Sequence, residues 1–168
     1  MKKLPYSVLA FLFFLTFPLA VYAQSGAGGG SFTFAFSNYT VQGQLRNAII
    51  NPNNTVSATM IINDNVQTSI GGIPINGSGA WSGSVNGTSL SGTIQDVQGT
   101  LKVCFLFFWC AQANYAGQGT WTGTLSGSQG TGTFQGTVTF VSSSIPQLTL
   151  NQPYPISGNW TSSFQQNA

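Results

Sequence analysis

Ser31-Phe32-Thr33-Phe34-Ala35-Phe36, directly behind the glycine-rich run Ser25–Gly30, is the stretch on which the fold turns. Its three phenylalanines alternate with small residues, and successive side chains of a strand point to opposite faces. Phe32, Phe34 and Phe36 therefore share one face, and that face needs a hydrophobic groove. Burying the three rings is worth about 5–9 kcal/mol, at about 1.5–3 kcal/mol each. Either the groove belongs to the chain's own core and this is an ordinary first strand, or it belongs to a neighbouring subunit that takes the strand by addition.

Beyond this stretch no long 3.6-residue periodicity appears, and short alternating runs bounded by turn residues argue for an all-β sandwich. Thr40–Ile50 reads as a strand, Asn51-Pro52-Asn53-Asn54 as a turn and Thr55–Ile62 as the returning strand. Asn63-Asp64-Asn65 reads as the next turn, Val66–Ile70 continues the meander, and Gly71-Gly72-Ile73-Pro74 breaks it. Gly77–Val85 matches Gly117–Leu125 at an offset of 40, and the match continues to Ile94 and Phe134. Each copy reads as strand, tight turn, strand, with Asn86-Gly87 a strong hairpin signal. Two copies make a duplicated hairpin rather than a solenoid. Trp81 and Trp121 are expected to fill equivalent core positions. A last strand is expected at Ile156–Phe164.

Lys2 and Lys3, the apolar run Val8–Ala20 and the small-residue site Val21-Tyr22-Ala23 read as an export signal cleaved after Ala23. The expected organisation is a signal at 1–23, an N-terminal tail at 24–39 and one head domain at 40–168. After cleavage the charged side chains are Arg46, Lys102, Asp64 and Asp96, which sum to zero. No basic patch is left to hold a phosphate backbone, so nucleic acid is excluded as a partner. So few titrating groups imply little pH dependence of stability and tolerance of strong acid. Low net charge weakens solubility by repulsion, and N-linked glycans are expected to compensate. Five sequons offer sites for them, at Asn38, Asn53, Asn76, Asn86 and Asn159, mostly at predicted turns.

Catalysis lacks its usual parts. Histidine is absent, and the two acids, Asp64 and Asp96, are widely separated, with Asp64 inside an Asn-Asp-Asn turn signal. No metal cluster, phosphate loop or nucleophile motif is present in the sequence. The expectation is a protein that is not an enzyme and uses no cofactor or metal.

Cys104-Phe105-Leu106-Phe107-Phe108-Trp109-Cys110 is the second distinctive stretch. In an exported chain two cysteines most simply pair with each other. A straight strand would hold them about 20 Å apart, against a disulfide limit of about 7 Å between Cα atoms. Pairing therefore requires the segment to fold back as a clasped loop, whereas a continuous strand would leave the cysteines to bridge other chains. Phe105, Leu106, Phe107, Phe108 and Trp109 then form either a plug under the core or a contact loop for a neighbouring subunit or a lipid surface.

With export signal, alternating N-terminal strand, β-rich body, sequons and very low charge together, the chain resembles the subunits of archaeal surface threads, the non-type-IV filaments of thermoacidophiles. The resemblance implies glycosylated subunits that join identical subunits head to tail by donor-strand complementation, at the cell surface, in adhesion or biofilm contact. Phe32, Phe34 and Phe36 would be the donor-strand contacts, with Ser37–Tyr39 as hinge. The fold so implied is a single antiparallel β-sandwich, Ig-like or pilin-like and of Greek-key type, with an N-terminal donor strand. Two alternatives stand beside it: a monomeric secreted glycan-binding β-sandwich, and a membrane-contacting surface protein.

Overall fold

Period-two alternation runs on well past the short strands that the turn signals suggest. The computed structural model describes residues 28–36, 38–68, 71–105, 109–145 and 148–167; the export signal expected at Met1–Ala23 lies outside them. The strands are β1 (Gly28–Phe36), β2 (Tyr39–Ile50), β3 (Thr55–Thr68), β4 (Gly71–Asn86), β5 (Ser89–Phe105), β6 (Trp109–Ser126), β7 (Gln129–Ser143), β8 (Pro153–Ser163) and the short β9 (Gln165–Gln166). Strands β3 to β7 are 14–18 residues long, about three times the usual strand.

Each of β1 to β7 pairs antiparallel with the next in sequence, and β1 also pairs with β8. The sheet therefore closes into an eight-stranded up-and-down barrel, with β9 added in parallel beside β2. This overturns the expected open sandwich of Greek-key type with a donor strand. The cause is the seating of Ser31–Phe36. Phe34 lies opposite Val41 of β2 on one side and Gly158 of β8 on the other, so the strand that was to leave for a neighbour seals its own barrel. Full closure removes the unpaired edge that strand addition uses.

Two turn readings also change. Asn63-Asp64-Asn65 does not turn but continues β3, paired with Asn76, Ile75 and Pro74 of β4. Gly71–Pro74 does not break the sheet but begins β4. Pro74, without an N–H, is tolerated because β5 joins β4 only from Ile75 onward. The hairpin after Asn86 turns on Gly87-Thr88, since Asn86 already pairs with Ser89. Gly87, at φ 61°, supplies the positive φ that a type II′ turn needs at its first central position. Gly127 does the same between Ser126 and Gln129.

Three tryptophans fill the middle of the barrel. Trp81, Trp121 and Trp160 are each 1 % exposed, and they come from alternate strands, β4, β6 and β8. Trp81 stacks on Trp121 at 5.2 Å between ring centroids, and Trp160 meets both edge-on at 5.9 and 5.6 Å. Trp121 pairs across to Gly92 of β5, and Trp160 to Gly132 of β7. A side chain at either glycine would collide with the neighbouring strand, and one at Gly92 would also meet the Trp121 ring. The glycine-rich alternation therefore has a packing cause: it clears inward space on one strand for the ring of the next. Trp81 and Trp121 occupy equivalent positions, as expected. The third member, Gly158-Asn159-Trp160-Thr161, was legible in the sequence as another Gly-x-Trp-Ser/Thr, 39 residues after Trp121.

The third equivalence is incomplete. Trp121 Nε1 donates to the Ser82 carbonyl and Trp160 Nε1 to the Thr122 carbonyl, each at 3.1 Å. Trp81 Nε1 is buried with no protein partner among the described residues. Its cross-strand neighbour is Ala58 rather than glycine, and β2 carries an irregularity between Arg46 and Ile49 at that level. A net hydrogen bond is worth about 0.5–1.5 kcal/mol. Trp121→Phe should therefore cost about 1 kcal/mol more than Trp81→Phe in urea unfolding, and equal losses would show that these donors are energetically idle.

Candidate functional site

Among the described residues the interior shows no ligand-sized cavity. Small barrels of eight strands either fill with side chains or enclose one small ligand, and this one is filled. A void of about 20 Å³ is lined by Phe34, Met60, Ile94, Val97 and Tyr115 among others, and a more open one of about 30 Å³ lies among Phe34, Phe36, Val41 and Phe140. Spaces so small and so largely apolar hold no more than a water or two.

The outside is different. A concavity of about 840 Å³ crosses β5, β6, β7, β8 and β1 at mid-height, and one of about 520 Å³ adjoins it across β6, β7 and β8. At this level Gly119 of β6 faces Gly136 of β7, and a Cβ on either would run into the other strand's backbone. The same level holds a bulge in β5 between Ile94 and Val97, where Asp96 takes φ 53°. Close backbone approach and a bulge are how a sheet is bent sharply. The inward bend leaves a waist on the outer surface.

The residues of that waist are set by register. Thr93 pairs with Thr120, Thr120 with Gln135, Gln135 with Ser157 and Ser157 with Ala35, which makes one continuous row across five strands. The next row, in the adjoining concavity, is Thr122, Thr133 and Asn159. Every side chain lining the larger concavity is uncharged. Hydroxyls donate and accept, carboxamides carry two donors and an acceptor, and none of them adds net charge. This row went unread in the sequence because it joins residues up to 122 positions apart, Ala35 to Ser157. The alternating Thr-x-Thr of β6 and β7 was its only local sign.

The sites expected from the sequence are distributed elsewhere. Phe32 and Phe34 are 1 % and 7 % exposed, inside the barrel, with Phe36 partly buried at one end against Phe140 and Tyr154. Cys104 and Cys110 form a disulfide, with Cα atoms 4.0 Å apart across the β5–β6 hairpin. The fold-back that pairing required is thus an antiparallel hairpin, with Phe105 paired to Trp109. Leu106, Phe107 and Phe108 lie outside the described residues, as do the side chains of Phe105 and Trp109. Asn38, Asn53, Asn76, Asn86 and Asn159 are all exposed. Asn76 and Asn159 stand inside β4 and β8 rather than at turns. Asn53 Oδ1 accepts from the Thr55 backbone N–H at 3.2 Å and from Thr55 Oγ1 at 2.7 Å.

The two acids are apart in role as well as in sequence. Asp64, expected in a turn, sits in β3 and accepts from the Gln42 backbone N–H at 2.8 Å, where β2 parts from β3 beyond Gly43. Asp96 lies in the β5 bulge. Among the described residues no three His, Cys, Asp or Glu side chains gather as a metal site would require.

One buried group does titrate unusually. Tyr115 lies over Gly77 and Gly99 with its hydroxyl donating to the Asn76 carbonyl at 3.1 Å. Burial pushes its pKa from 10.0 up to about 12. The unfolded chain therefore loses this proton before the folded one does, and stability present below pH 10 falls as the pH rises through about 12. Unfolding measured by urea from pH 9 to 12 should show this decline, and Tyr115→Phe should flatten it. A decline unchanged in that variant would assign it to other groups.

Comparison with protein-family models, curated proteins and solved structures finds no match to this chain.

Proposed function

We propose that the protein is a non-catalytic extracellular barrel that binds neutral carbohydrate on its outer waist. One observation carries the reading: the polar side chains of the waist concavity are all hydroxyls and carboxamides, set among Ala35, Ile94, Pro155 and Ile156, with no charge among them. A neutral polyhydroxylated ligand exchanges its hydrogen bonds with water for equivalent ones to Thr and Gln, and no ionised group has to be stripped of water. The aromatic filling of the barrel supports an outside rather than an inside site. The disulfide and the export signal read at Met1–Ala23 support an oxidising, extracellular setting. Among the earlier readings this favours the secreted glycan-binding protein, since β1 completes the chain's own barrel.

Affinity electrophoresis of the full chain through gels carrying soluble neutral polysaccharides, such as hydroxyethylcellulose and galactomannan, tests the proposal. The chain should be retarded, and Thr120→Val and Gln135→Leu should abolish retardation without changing the melting temperature. A folded chain that no neutral polysaccharide slows, or variants slowed as much as the parent, would overturn the reading.

A further inference from the structure

The waist repeats with the strands. β5 presents Thr93 and Gln95, β6 presents Thr120 and Gln118, and β7 presents Gln135 and Thr137, all lining the same concavity. Each of these three strands thus offers one hydroxyl and one carboxamide. Thr93, Thr120 and Gln135 lie in one row, and Gln118 pairs with Thr137 in the row beside it. The same pair of chemical groups recurs at the strand spacing of about 4.8 Å.

We infer that the waist binds an extended, neutral β-1,4-linked polysaccharide laid across the strands, one sugar ring to each strand. The inference rests on the carbohydrate-binding reading above and specifies its ligand. A single sugar would engage one Thr/Gln pair and leave the others to water. A chain whose rings advance by about one strand spacing meets the pattern again at every step. Equatorial β-1,4 linkages keep such a chain extended across the three adjacent strands that carry the pair. The lining contains no exposed aromatic platform on which one ring could stack. Affinity therefore accumulates from hydrogen bonds along the chain rather than from one strong contact. Each ring adds a modest increment, about fivefold in association constant for a net hydrogen bond or two.

The test is a calorimetric titration of the full chain with cello-oligosaccharides from glucose to cellohexaose, with the chito- and manno-oligosaccharide series in parallel. The same titrations on Asn159→Gln remove the one sequon in the adjoining row, so that a glycan there is separated from the waist itself. In at least one series affinity should rise about fivefold per added ring and level off near three rings, one for each strand that carries the pair. Gln95→Ala and Gln118→Ala should each lower the affinity for the longest oligomer about fivefold, with the melting temperature unchanged. A monosaccharide that binds as tightly as the trisaccharide, or a plateau at the disaccharide, overturns the extended-chain inference and leaves carbohydrate binding standing. Failure of every series overturns both.

Discussion

Phe32→Ala is expected to remove about 3–5 kcal/mol from the stability of the barrel, the range for truncating a buried phenylalanine. Phe32 is 1 % exposed, lies edge-on to Phe134 at 6.0 Å between centroids and packs beside Phe34 at 6.4 Å. Its ring covers Gly43 of β2, which has no side chain to fill the space left behind. On the other side it faces Trp160, so truncation loosens the tryptophan cluster as well as the strand. Thr33→Ala, one residue along and on the outer face, should change stability by less than about 0.5 kcal/mol. Urea unfolding followed by tryptophan fluorescence measures both. The midpoint should also be independent of protein concentration, because β1 completes its own barrel. A midpoint that climbs with concentration would mean that the strand is shared between chains.

Gly132→Ala should be as damaging for the opposite reason. The added methyl would run into the Thr122 carbonyl oxygen and the Gly123 Cα of β6. These are backbone atoms of a strand held on both sides, so the clash cannot be relieved by turning a side chain. Overpacking of this kind costs about 1–3 kcal/mol and occasionally more, and here the upper end is expected. Gly87→Ala provides the contrast. At Gly87 nothing stands within 4 Å of an added Cβ, and the cost is only that of holding φ at 61°, about 1–2 kcal/mol. Denaturation midpoints of the two variants separate crowding from backbone conformation. A Gly132→Ala chain as stable as the parent would show that the inward glycines are not there to clear space.

The all-β class was legible because period-two alternation and turn-forming residues are local, and both are dense from Ser31 onward. The burial of Trp81 and Trp121 followed from their repeat, and the exposure of the sequon asparagines agrees with their polar surroundings. Asn63-Asp64-Asn65 and Gly71–Pro74 misled for the complementary reason. Turn propensity is a local preference, and pairing along fourteen residues of β3 and β4 overrode it.

By itself the sequence determined which side chains share a face: Phe32, Phe34 and Phe36 together, the tryptophans with their glycines, and the Thr, Ser, Asn and Gln residues opposite them. Only the tertiary structure decided that the inward face closes on itself, that Ser31–Phe36 seals that closure, and that the outward face bends into an uncharged waist. Alternation specifies a face but not the curvature of the sheet that carries it. Curvature here arises from close approaches such as Gly119 to Gly136 and from bulges such as the one at Asp96. Their effects add up around eight strands, and no single stretch of sequence contains the sum.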